Sequence, residues 1–221
     1  MAVRVAPSIL SADFASLASA IDLVAPETDL LHVDVMDGHF VPNLTIGPPV
    51  VKDINRHTDL ELDCHLMMDN PGQYLEAFRK AGADGCTVHV EIGGTAELIE
   101  QMRSLDLRVG LAANPDTPFD AYESFIDQVD LLLLMTVFPG FSGQAFHPEV
   151  VPKIRQTAEA VRARGAAAVI EVDGGINQST IGATAEAGAR VFVAGNAVFG
   201  SEDPRGATRN LRELATAAIA S

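Results

Sequence analysis

Residues 31–38 read Leu-His-Val-Asp-Val-Met-Asp-Gly. On an extended chain, alternation of side chains puts His32, Asp34 and Met36 on one face and Leu31, Val33 and Val35 on the other. Residues 62–67 (Leu-Asp-Cys-His-Leu-Met) repeat the pattern with Asp63, His65 and Met67, and Asp173 ends the run before Gly174 and Gly175. His32, Asp34, His65 and Asp173 are the imidazole and carboxylate donors that suit Zn, Fe(II), Mn or Co rather than Ca or a thiolate-seeking ion. No H-x-x-x-H helix or C-x-x-C pair competes for a metal. For the His32 strand by itself, a buried His–Asp hydrogen bond with methionine as filler is an equal reading. His89 and Glu91 form another same-face pair, read either as outer partners that orient a ligand imidazole or as merely polar. Met36, Met67 and Met135 admit two readings as well. They are core, or they are a polarizable wall against a flat, delocalised anion, with no proton to quench it.

These residues need elements to carry them. Eight apolar runs recur, at Val3–Leu10, Leu30–Met36, Leu60–Met67, Cys86–Val90, Arg108–Ala113, Leu131–Val137, Ala167–Val172 and Arg190–Ala194. They are short, rich in Val, Ile and Leu, and apolar on both faces, as strands covered on both sides should be. Helical segments alternate with them over Phe14–Ala25, Pro48–His57, Pro71–Gly82, Gly94–Leu105, Pro118–Gln128, Pro148–Arg164, Gln178–Ala187 and Pro204–Ala220, with proline early and glycine late. No linker or composition break interrupts the series. The expectation is α/β, a single-domain (β/α)₈ TIM barrel over residues 1–221. An open doubly wound sheet would want a glycine-rich turn after the first strand, where Ser11-Ala12-Asp13 stands instead. In a barrel the chemistry collects at the carboxyl ends of the strands, and phosphate commonly sits after strands seven and eight.

Acidic residues outnumber basic ones 30 to 15, for a net charge of -15. Such a surface repels nucleic acid and anionic membranes. A phosphorylated small molecule remains admissible, because backbone amides bind phosphate whatever the global charge. Cys64 and Cys86 lie inside expected strands and read as small buried hydrophobes in a reducing compartment. With no signal peptide or membrane-length apolar run, the expected location is cytoplasmic.

The stretches Ser8–Phe14, His32–Gly38 with Phe40–Asn43, His65–Met67, Pro139–Gln144 and Glu171–Asn177, taken together and in order, resemble the ribulose-phosphate 3-epimerase family. The likeness spans essentially the whole chain. It implies a TIM barrel that interconverts D-ribulose 5-phosphate and D-xylulose 5-phosphate in the pentose phosphate pathway, with one divalent metal ion and a homo-oligomeric assembly. It carries His32, Asp34, His65 and Asp173 over as metal ligands, and Asp34 and Asp173 also as the catalytic acid/base pair. Ser8 and His65 would contact substrate; Gly140, Phe141, Ser142, Gly143 and Gln144, with Gly174, Gly175, Gly195 and Asn196, would hold the phosphate end. Epimerisation beside a ketone removes a proton on one face and returns one on the other, which two opposed carboxylates do without either moving.

Ser142 and Asn196 stand where the family usually has glycine and serine. They bear on phosphate geometry and sugar choice, and make a six-carbon ketose phosphate such as allulose 6-phosphate the alternative substrate. A positive φ at Ser142 would carry a penalty that glycine avoids. A decarboxylating or cleaving barrel would want a lysine at a strand end, and Lys52, Lys80 and Lys153 all fall in expected helices. A barrel that only binds sugar phosphate or metal leaves the facing aspartates without a purpose. The glycine-rich loop 138–147 is expected to close as a lid.

Overall fold

The computed structural model describes residues 2–220; the expected domain limits, Met1 and Ser221, lie outside them. Strands β1 (Arg4–Pro7), β2 (Leu30–Met36), β3 (Glu61–Met67), β4 (Gly85–His89), β5 (Arg108–Ala113), β6 (Leu131–Met135), β7 (Val169–Asp173) and β8 (Val191–Ala194) form one parallel sheet in the order β1-β8-β7-β6-β5-β4-β3-β2. A single parallel bridge between Ser8 and His32 joins β1 to β2, so the sheet curls into a nearly closed barrel. Helices α1 (Leu17–Val24), α2 (Pro48–His57), α3 (Leu75–Ala81), α4 (Thr95–Ser104), α5 (Val151–Arg164), α6 (Ile181–Ala187), α7 (Asn196–Phe199) and α8 (Pro204–Ala220) follow the strands. The expected single-domain TIM barrel is observed.

Period two divides each strand between two cores. Leu31, Val33, Cys64, Leu66, Val88, Leu111, Leu132, Val172 and Phe192 join one continuous apolar layer under the helices. Opposite-parity residues fill the barrel, with Leu131, Leu133 and Met135 in one cluster and Ala6, Leu30, Val191 and Val193 in another. Register aligns His32 with Asp63, Asp34 with His65, Met36 with Met67, and Met135 with Asp173. Cys64 and Cys86 are register partners on the outer side, free and buried, and burial raises both thiol pKa values.

Three expectations change. The first strand stops at Pro7, because Ser8 caps a 3₁₀ turn at Ile9–Ser11 with its Oγ accepting from the Leu10 N–H (3.3 Å). The expected helix over Pro118–Gln128 is two 3₁₀ segments, Phe119–Ala121 and Glu123–Gln128, broken at Tyr122 (φ −126°). Tyr122 is buried and shares a 2.8 Å hydrogen bond with Thr157, so tertiary packing overrides helical continuity there. After β8, the short α7 occupies what the residue pattern leaves as a loop. Among the described residues no helix is long and apolar enough to cross a membrane.

The barrel interior has no slack at Gly110, where an added Cβ would meet Thr87 Oγ1 at 2.0 Å and the Thr87 Cα at 2.9 Å. Overpacking of this kind costs about 1–3 kcal/mol. Gly110→Ala should therefore lower the unfolding free energy by that amount, seen as a lower urea midpoint with an unchanged m-value; wild-type stability would mean that β4 and β5 can separate freely.

Candidate metal and substrate site

β2 and β3 deliver three donors to one point. His65 Nδ1 lies 3.2 Å from Asp34 Oδ1 and 3.4 Å from His32 Nε2, which is itself 3.4 Å from Asp34 Oδ1. Asp173 joins from β7, and one donor atom from each of the four residues lies within 4.8 Å of every other. Donors each about 2 Å from a shared ion sit roughly 3–3.4 Å apart, the range of the three closest spacings. His32 and His65 are fully buried and Asp34 nearly so, whereas Asp173 is partly open to the cavity. The electrostatics ask for positive charge. Burial disfavours a protonated His32, but Asp34, Asp63 and Glu171 outweigh it and raise its pKa well above the usual value. Burial likewise opposes ionisation of Asp34, yet His32 and His65 hold its carboxyl far below the ordinary range. At Asp173 burial and then repulsion from Asp34 outweigh the attraction of His32 and push its pKa up to about 7. A divalent ion fits this donor set and this charge.

Each inner imidazole is held from behind. His32 Nδ1 donates to Asp63 Oδ2 (2.9 Å), and Asp63 accepts from Arg108 Nη2 (3.0 Å), which bridges to Glu61 and so to Arg4. His65 Nε2 meets His89 Nε2 at 2.8 Å, and His89 Nδ1 meets Glu91 Oε2 at 3.0 Å. Burial lowers the His89 pKa to about 4 and keeps the ring neutral. Beneath the site, Glu171 is fully buried with neither carboxylate oxygen hydrogen-bonded among the described residues, its Oε1 lying 3.8 Å from His32 Nδ1. Burial and the nearby Asp63 charge drive its pKa well above the carboxylate range.

Above the donors lies a cavity of about 240 Å³, lined by Ser8, Asp34, Met36, Met67, Met135 and Asp173 at its floor. Ser8 Oγ donates to Asp34 Oδ2 at 2.5 Å. The far wall is Gly140, Phe141, Ser142, Gly143, Gln144, Gly174, Gly175, Gly195 and Asn196, so every expected substrate residue except the buried His65 faces this cavity. No lysine or arginine lines it, which leaves backbone amides, serines and asparagines for an anionic group. Gly174 (φ +118°) and Gly175 (φ +64°) are sterically required: added Cβ atoms would meet Val137 N and Phe146 N, each at 2.7 Å. Thr136 secures this turn, its N–H donating to the Asp173 carbonyl (2.7 Å) and its hydroxyl to that of Gly174 (2.6 Å). The penalty considered for Ser142 does not arise, since Asp106 is the only non-glycine residue with positive φ among those described. Gln144 Nε2 donates to the carbonyls of Phe138 (2.7 Å) and Phe141 (2.9 Å), bracing its own loop. Asn43 Nδ2 reaches across to the Gly140 carbonyl (2.8 Å) and ties this loop to the one after β2.

The cavity also draws on residues to which the sequence reading gave no role, among them Ser11, Ile176 and Asn177 within the quoted motifs and Val137 and Ala197 outside them. Asp63 and Glu171 were visible as the residues two before His65 and Asp173, hence on the same inward face one level down. Nothing in their spacing says that one is paired and the other not. Lys153, a candidate for lysine-based chemistry, lies in α5 and donates to the carbonyls of Asn114 (2.6 Å), Pro115 (3.0 Å) and Thr117 (3.0 Å).

Comparison with known proteins follows the same direction. Residues 4–199 match the model of the "Ribulose-phosphate 3 epimerase family". A cytoplasmic isoform of ribulose-phosphate 3-epimerase from Oryza sativa subsp. japonica is 46% identical over 209 residues, 92% of this chain and 90% of the relative. Ribulose-phosphate 3-epimerase from Bacillus subtilis (strain 168) is 46% identical over 216 residues, 95% of this chain and 98% of the relative. Among solved structures, 3-hexulose-6-phosphate synthase from Salmonella typhimurium superposes with a TM-score of 0.73 at 18% identity, covering 97% of this chain and 99% of that one, a likeness of fold alone.

The raised Asp173 pKa has a thermodynamic consequence. Between its ordinary value of 3.8 and about 7 the folded state binds a proton that the unfolded state releases, so this group's contribution falls as pH rises through that window. In chelator-treated protein, wild type should lose stability relative to Asp173→Asn from pH 4 to pH 7, with a slope of at most about 1.4 kcal/mol per unit. Parallel stability profiles from urea unfolding would show that Asp173 is ionised throughout.

Proposed function

The chain belongs to the ribulose-phosphate 3-epimerase family and is an isomerase; we propose on that basis that it interconverts D-ribulose 5-phosphate and D-xylulose 5-phosphate, a step of the pentose phosphate pathway, through an enediolate. The observation that supports the mechanism is that two carboxylates from β2 and β7 line one cavity and, in the metal-free site, differ in ionisation, Asp34 held ionised and Asp173 raised toward neutrality. Environments that push two titratable groups apart mark a base and an acid. Asp34 takes the C3 proton of ribulose 5-phosphate. The C–H electrons form the C2–C3 double bond, and charge collects on the former ketone oxygen. Asp173 then gives its proton to C3 on the opposite face, which inverts the centre; the reverse reaction exchanges the two roles. Ser8, donating to Asp34, sets the angle from which that carboxylate approaches.

His32 Nε2, Asp34, His65 Nδ1 and Asp173 would hold a divalent ion, Zn, Fe(II), Mn or Co by donor type. When bound, that ion supplies Lewis-acid stabilisation of the building charge, several kcal/mol in comparable sites. Met36, Met67 and Met135 give the planar intermediate an apolar, non-acidic wall. The phosphate lies against the Gly174–Gly175 and Gly195–Asn196 turns and the 140–144 segment, with loop 138–147 excluding water above it. The cytoplasm is the compartment of this reading, supported by two buried thiols and the rice relative's name. A homo-oligomer belongs to it too, with exposed Phe14, Leu44 and Tyr74 available to a second copy.

In deuterated water the wild type should place solvent deuterium at C3 of both sugars. Asp34→Asn and Asp173→Asn should each reduce turnover about 10²–10⁴-fold; an Asp173→Asn protein that epimerises at the wild-type rate would dispose of the two-carboxylate mechanism. Chelation should abolish turnover, and Zn, Mn or Co should restore it. The kcat/KM ratio between ribulose 5-phosphate and allulose 6-phosphate separates the two candidate sugars, and the five-carbon substrate is expected to win.

A further inference from the structure

His65 faces two ways. Its Nδ1 points into the donor cluster, 3.2 Å from Asp34 Oδ1, while its Nε2 points away and meets His89 Nε2 at 2.8 Å. Two imidazole nitrogens at that separation share one hydrogen, and a third group decides which ring carries it. That group is Glu91. Its Oε2 lies 3.0 Å from His89 Nδ1, and an ionised carboxylate only accepts. His89 therefore keeps its hydrogen on Nδ1 and presents a bare Nε2. His65 must then donate from Nε2, which leaves a lone pair on the Nδ1 aimed at the cluster.

The third group is itself fixed. Glu91 Oε1 accepts from the Asn114 N–H at 2.7 Å and from the Thr117 hydroxyl. Lys153 grips the carbonyls of the same segment, so Glu91's donors cannot wander. On the other side the Phe40 ring packs on His89 with centroids 4.6 Å apart, which limits rotation of the imidazole. His89 is 1% exposed and lies outside the cavity lining, beyond reach of a substrate.

We propose that His89 and Glu91 are positioning residues that select the His65 tautomer able to bind a divalent cation through Nδ1. The inference rests on the reading that the cluster takes a metal ion. It also distinguishes the two inner histidines. His32 is oriented directly by a carboxylate, Asp63, whereas His65 is oriented through an intervening neutral ring.

The test is metal affinity of the chelator-stripped full-length protein, with Zn²⁺ read by calorimetry and Co²⁺ by visible absorption. The variants are H89F, which keeps a ring against Phe40 but offers no acceptor, H89Q, whose amide oxygen can accept from His65 Nε2, and E91Q. Outer partners of metal-bound histidines typically contribute 10–100-fold to affinity. H89F should fall in that range, E91Q by about 10-fold, and H89Q should recover most of the loss together with the wild-type Co²⁺ spectrum. Wild-type affinity and spectrum in both H89F and E91Q overturn the inference alone. A loss in H89F that H89Q does not recover, matched by an equal loss of metal-free thermal stability, reduces His89 to packing and overturns it too. Wild-type protein that binds neither ion removes the metal reading and the inference with it.

Discussion

Convergence of imidazole and carboxylate groups is the constraint on which the rest of this structure depends. His32, His65 and Asp34 bring two ring nitrogens and a carboxylate oxygen to within 3.2–3.4 Å of one another at a buried barrel end, with Asp173 close by. Left to themselves, such groups would turn apart or take up protons. They hold position because each is gripped from outside the cluster, His32 by Asp63, His65 by His89, and Asp34 by Ser8. Those grips are anchored in turn by Arg108 and Glu61 below and by Glu91 at the side. The polar interior is thus a layered scaffold, with charge balance worked out level by level down the barrel.

The same constraint explains why the electrostatics of the two aspartates differ. Asp34 sits between two imidazoles and accepts a hydroxyl proton, so its negative charge is answered locally. Asp173 arrives from a strand whose previous inward residue, Glu171, is also an acid, and Asp34's charge outweighs the attraction of His32 there. Placement on strands with different neighbours is enough to separate two chemically identical side chains. The difference in their ionisation follows from topology before any ligand is considered.

Much of this was legible in the residues. Alternation in Leu30–Met36 and Glu61–Met67 assigns His32, Asp34 and His65 to one face, and barrel topology turns that face inward. The break in the expected helix over 118–128 was not legible, because the burial of Tyr122 and its bond to Thr157 are long-range facts that local propensity does not contain. Nor was the geometry at Ser142, since φ depends on how its loop is braced by Gln144 and tied down by Asn43. Ser8 was recognisable as a residue at a strand end. That it also joins the two edges of the sheet depends on a partner 26 positions away.

That last role has a consequence for biogenesis. Of the eight strands β1 is the earliest in the sequence, yet it has no ladder with β2, only the Ser8–His32 bridge, the Ser8–Asp34 hydrogen bond and the contacts of Arg4 and Val5 with Asp29, while its full ladder is with β8, the latest. A nascent chain still short of β8 has β2 and β3 in hand but lacks the ladder that seats β1. The pocket is therefore enclosed only when β1 and β8 pair, since Val193, Gly195 and Asn196 supply part of its wall. The pairing that closes the cylinder is thus also the one that completes the pocket.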